Sequence, residues 1–128
     1  MRWLKILLFI NGVMFAIFTV SNIFLPTSFL MPADAPAYGL DAARTMGVGY
    51  LPGAVIWIGS WWMTDRFAIR LCALGALVYA AAFALLAAVL GTGSSDLFHQ
   101  NHLAFAAVWA VVAVLYAWLI YRESSGAA

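Results

Sequence analysis

The chain has 128 residues, 66% of them hydrophobic and 9% charged, with six Lys/Arg against five Asp/Glu. That is roughly a third of the charge of an average soluble domain, too little to cover so small a body with polar groups, so the bilayer is its better solvent. A net charge of +1 excludes a basic nucleic-acid surface, the hydropathy excludes a disordered tail, and the single Cys72 excludes an intrachain disulfide and a cysteine-rich metal site.

A hydrocarbon core about 30 Å thick is crossed by about 20 apolar helical residues. Four uncharged runs match that length, at 6–25, 45–63, 71–90 and 103–121. The first follows Arg2 and Lys5 and precedes Ala33-Asp34-Ala35, which together imitate a secretory signal peptide. The run exceeds the about 7 to 15 residues of a signal core and Pro36 would follow the cut, so the first span is expected to be retained. Inside it, Asn11 is expected to form an interhelical hydrogen bond. A segment carrying Pro26, Pro32 and Pro36 leads to the second run, where Pro52 lacks the N–H that would bond the Val48 carbonyl and predicts a kink. A tight turn with Asp65 and Arg66 precedes the third run, and a Gly/Ser loop ending at Asp96 precedes the fourth. The expected fold is all-α, a four-transmembrane-helix bundle forming one domain over 1–128.

Orientation follows from the basic residues, which favour the cytoplasmic side in short loops. Arg2, Lys5, Arg66, Arg70 and Arg122 fall on one side, and only Arg44 falls on the other, with Asp34, Asp41 and Asp96. Trp3, Trp61, Trp62, Trp118 and Tyr121 lie near the same end as the five basic residues. Both termini are therefore expected in the cytoplasm, in a bacterial inner membrane.

Association in lipid rests on close packing at small side chains rather than on a hydrophobic force. Such residues recur in every run: Gly12 and Ala16; Gly49 and Gly53; Ala76, Ala80, Ala84 and Ala88, with Cys72 one turn earlier; and Ala106, Ala110, Ala113 and Ala117. The third and fourth helices are expected to pack closely.

Two polar clusters fall on the outer side. Arg44 opens the second run with Asp41 three residues earlier and Tyr38 beyond it, and a fixed guanidinium there serves either as a structural clamp or as an anchor for an anionic ligand. Asp96, His99 and His102 are spaced to share a helical face, a set able to hold zinc or another divalent ion, although capping and interfacial hydrogen bonds are the favoured explanation. Two histidines on one helix cannot supply opposed haem ligands within one chain. Gly47, Gly49 and Gly53 lie inside a span rather than in a phosphate loop, and no Ser/His/Asp motif or mid-membrane carboxylate is present. These features point away from an enzyme or an autonomous proton-coupled transporter.

Tyr38-Gly39-Leu40, followed by Arg44-Thr45-Met46-Gly47 at the opening of the second helix, resembles a loose group of uncharacterised bacterial four-helix integral membrane proteins sharing Arg-x-x-Gly at this point. The resemblance implies a fold and no chemistry. The expected function is that of a non-enzymatic accessory or assembly subunit, in contact with membrane lipids and with other membrane proteins or further copies of itself, in a respiratory or photosynthetic complex. The alternative is a bundle binding a quinone, lipid or metal on its outer face around Arg44 and His99 with His102.

Overall fold

The computed structural model describes residues 1–25, 34, 36–91 and 97–125, with the backbone alone at 90 and 97–101. Four α-helices make up nearly all of it: α1 (Arg2–Phe24), α2 (Ala37–Gly59), α3 (Arg66–Gly91) and α4 (Leu97–Ser124), with one 3₁₀ turn at Ser60–Trp62. No strand occurs among the described residues, so the all-helical expectation holds. Three stretches are long and apolar enough to cross a membrane: Arg2–Phe24, Arg66–Val89 and His102–Ser124. α2 equals α1 in length, at 23 residues, but Arg44, Thr45, Pro52 and its glycines dilute its hydropathy.

Every helix starts before the uncharged segment from which it was expected and is longer than it, because backbone hydrogen bonding is not interrupted by a charged side chain. α2 starts at Ala37, directly after Pro36, whose carbonyl accepts from the N–H groups of Gly39 and Leu40 at 2.9 and 3.2 Å. Arg44 therefore lies two turns inside the helix rather than at its mouth. At the other end Gly59 hands over to the 3₁₀ turn, where the Ser60 hydroxyl donates to the Trp57 carbonyl at 2.6 Å. α3 begins behind Asp65, whose Oδ1 accepts the N–H of Phe67 at 2.9 Å, a side-chain cap for a group that the helix itself leaves unbonded.

The chain divides into two compact units, Lys5–Met63 and Met1–Leu4 with Thr64–Ala128. In the first, α1 and α2 run antiparallel, and glycine decides how near they come. A Cβ at Gly12 would lie 2.7 Å from the backbone nitrogen of Ile58, and one at Gly47 would lie 2.9 Å from Cβ of Asn22. Phe15 packs between these crossings, with its ring centroid 4.5 Å from that of Trp57 and 5.2 Å from that of Tyr50, both edge-on. Gly53 faces the same ring, since a Cβ there would sit 3.1 Å from Phe15 Cδ1. Gly49 points elsewhere, with nothing within 4 Å of its would-be Cβ.

In the second unit α3 and α4 pack antiparallel along their length, and the buried face of α3 consists of Ile69, Ala73, Ala76, Ala80 and Ala87. These positions are separated by steps of four, three, four and seven, a heptad spacing that keeps a seam on one face of a helix. The row Ala76, Ala80, Ala84, Ala88 does not stay there, because each step of four overshoots a full turn by about 40°. Ala76 and Ala80 are buried and Ala84 and Ala88 only half-buried. On α4 the inward seam is Ala106, Trp109, Tyr116 and Leu119, while Ala110 and Ala117 are exposed and Ala113 half-buried. Across this interface Trp109 sits 5.7 Å from Tyr79 and 5.4 Å from Phe83 between ring centroids.

Gly12→Ala is expected to destabilise the chain by about 1 to 3 kcal/mol, the usual cost of overpacking, because the new methyl meets the backbone of α2. Gly49→Ala is expected to leave stability unchanged or raise it by up to about 1 kcal/mol, the helix-propensity gain. Unfolding of both variants by denaturant titration in mild detergent checks the pair. Ala80→Leu should likewise lower the melting temperature, while Ala81→Leu, on the exposed face of α3, should not.

Candidate functional site

Tyr38, Asp41 and Arg44 share the face of α2 turned away from α1. Arg44 Nη1 donates to Asp41 Oδ1 at 3.2 Å, an i,i+3 pair within one helix, and the Thr45 hydroxyl donates to the Asp41 carbonyl at 2.9 Å. Both charged side chains are more than half exposed, at 53% and 74%, and Tyr38 is more exposed still. The arginine that stands out in the sequence is therefore satisfied by its own helix. It braces two turns of α2, and an exposed pair of this kind contributes about 0 to 1 kcal/mol.

The histidine cluster is reached only in part. Asp96 and the side chain of His99 lie outside the described residues, and His102 is half-buried on α4. No group of three or more His, Cys, Asp or Glu side chains able to hold a metal occurs among the described residues. Arg44 belongs to the α1–α2 unit and His102 to the α3–α4 unit.

The polar groups that the fold does bury are largely ones that the sequence reading passed over. Asn11, Thr19 and Asn22 lie on the inner face of α1, and Ser60 lies at the end of α2, all less than a tenth exposed. Asn22 Nδ2 donates to the Phe18 carbonyl at 2.9 Å. Asn11 Nδ2 and the Thr19 hydroxyl are buried without a hydrogen-bond partner. Asn11 was expected to bond across the helix interface, and its amide nitrogen makes no such bond. The available signal was spacing: 11 residues separate Asn11 from Asn22, which returns to the same helical face within about 20°.

Two further features bear on chemistry. The hydroxyls of Ser60, Ser124 and Ser125 each donate to the backbone carbonyl three residues before, so they are engaged in local helix bonding. Trp57 and Trp109, which could have offered aromatic surface to lipid, pigment or a partner, are 6% and 2% exposed and serve as packing groups. Comparison with known proteins adds no relative: no family model matches the chain, and neither a curated protein nor a solved structure gives a significant match.

Arg44→Ala should cost no more than about 1 kcal/mol of unfolding free energy, with the loss shrinking as salt is raised. Asn11→Leu should stabilise the chain by about 1 kcal/mol or more, because it removes a buried donor that has no acceptor. A melt of each variant in the same detergent, at low and high salt for Arg44, measures both.

Proposed function

We propose that this chain is a non-enzymatic, four-span protein of a bacterial inner membrane, with both termini in the cytoplasm, that works by packing against other membrane proteins as an accessory or assembly subunit of a larger respiratory or photosynthetic complex. The observation that carries this reading is the outward surface of α4. Leu103, Ala107, Ala110, Val114, Ala117 and Tyr121 are all exposed and recur at steps of four, three, four, three and four. This is a second heptad-spaced seam, built from small side chains in the middle and larger ones at the ends, on a helix whose inner seam is already filled by α3. Positions that meet only lipid tails gain nothing from being small, whereas a second helix approaches closely over alanine.

Membership of α2 in the membrane is part of the same proposal. It lies antiparallel to α1 with close contacts from Gly12 to Asn22, and a helix paired along a spanning helix shares its slab. Its outward residues Val48, Leu51, Val55 and Ile56 are apolar and exposed. Orientation is supported by the unequal distribution of arginine and by exposed Trp3, Trp62, Trp118 and Tyr121 near the more basic ends of the helices. A ligand site around Arg44 and His99 with His102 has less to recommend it, because Arg44 already spends a donor on Asp41.

Gentle native purification from the source membrane, followed by mass spectrometry and an absorption spectrum, should yield stoichiometric partner chains. Ala110→Trp with Ala117→Trp should abolish that association while leaving the melting temperature of the isolated chain within error. A chain that purifies alone under every mild detergent, or a double variant that keeps its partners, would overturn the reading.

A further inference from the structure

Residues Met1–Leu4 belong to the same unit as α3 and α4. Arg70 Nη2 donates to the Glu123 carbonyl at 2.8 Å, and the Met1 amino group pairs with the Glu123 carboxylate, so the first residues, the start of α3 and the end of α4 meet at one end of this unit. Arg2, Arg66, Arg70 and Arg122 all stand there. Two carboxylates accompany them and neither neutralises an arginine, because Asp65 accepts the Phe67 N–H as the cap of α3 and Glu123 is engaged by the amino group. Among the described residues no ion pair involves any of the four. Arg44 differs in carrying its own carboxylate partner.

The arginines are also arranged to meet something. Nε of Arg70 is buried and has no hydrogen-bond partner, although Nη2 of the same guanidinium is fixed on Glu123. Arg66 is exposed one turn before it on α3. The Arg122 guanidinium lies over the Trp118 ring, 5.3 Å from its centroid, which holds the charge at the level of that indole. Trp3, Trp118 and Tyr121 are exposed at this end, the side chains that favour headgroup depth. Helices α3 and α4 each contain a stretch long and apolar enough to cross a membrane, so their ends fall in that layer.

We infer that this end of the α3–α4 unit is a docking surface for anionic phospholipid headgroups, with Arg66 and Arg122 drawing in the phosphate and Arg70 anchoring it. Guanidinium forks suit phosphate oxygens, and each cation near an anionic surface strengthens association about fivefold. Tails of the same lipid would lie along the exposed apolar residues beyond, Leu71 and Leu74 on α3 and Leu115 on α4.

The test is native mass spectrometry of the purified chain in neutral detergent, incubated with equal amounts of phosphatidylglycerol and phosphatidylcholine. Phosphatidylglycerol adducts should dominate, and the double variant R66Q/R122Q should reduce the ratio of the two adducts by at least roughly tenfold. Its melting temperature without lipid should stay that of the parent, since neither substitution touches the Arg70–Glu123 bond. Arg70→Lys, which keeps the charge and loses the fork, should lower the ratio several-fold. Equal retention of the two lipids, an unchanged ratio in R66Q/R122Q, or displacement of phosphatidylglycerol by an equal concentration of inorganic phosphate would overturn the assignment, the last by making it a site for free anions.

Discussion

How near two helix backbones can come governs the rest of this structure. Lipid tails are as apolar as leucine, so helices gain little by hiding leucine from them and must instead gain dispersion contacts and fit. The two units meet that demand differently. Between α1 and α2 the approach is made at single glycines, Gly12 against Ile58 and Gly47 against Asn22, with the Phe15 ring filling the interval. Between α3 and α4 the buried face of α3 is mostly alanine, and Trp109 of α4 packs against the rings of Tyr79 and Phe83. The glycine contacts at Gly12 and Gly47 leave no slack for added atoms.

The same constraint decides where polar groups go. Asn11, Thr19 and Asn22 are buried on the inner face of α1, and Asn22 finds its acceptor in its own helix. The charged side chains of the described helices stand at a helix end or within two turns of one, where they do different work. Asp65 caps α3, Arg70 donates to a terminal carbonyl of α4, and the Arg44–Asp41 pair braces the first turns of α2. All three are interactions with helix termini or within one helix. Among the described residues, the arginines at the α3–α4 end form no ion pair.

How much of this could be read beforehand depends on the scale of the feature. Helix existence followed from length and hydropathy, and four helices appear where four uncharged runs stand. Helix ends did not follow, because charge is a poor marker of where backbone hydrogen bonding begins: α2 starts eight residues before the run that announced it. Packing residues were legible by type and less so by face. Gly12, Gly53, Ala76, Ala80 and Ala106 face a neighbouring helix or are buried, whereas Gly49 and Ala110 face outward. A repeat of exactly four drifts around a helix of 3.6 residues per turn, so evenly spaced alanines change neighbours along the way. Asp41 and Arg44 were correctly read as a geometrically available pair, since i,i+3 spacing is a local property of helix.

By itself, then, the sequence determined the secondary structure and an apolar character compatible with a membrane: with eleven charges in 128 residues, three helical stretches are long and apolar enough to cross one, and in a bilayer such uninterrupted apolar length leaves little but helix. It also determined the local polar contacts, caps and i,i+3 pairs, because these depend only on neighbours along the chain. The tertiary structure alone decided which face of each helix turns inward, which aromatics become core, and which arginines are left unpaired. Those outcomes depend on the rotation of one helix against another. Within a pair of nearly uniformly apolar helices that rotation is set by the summed fit of many small contacts, not by any single residue whose identity announces it.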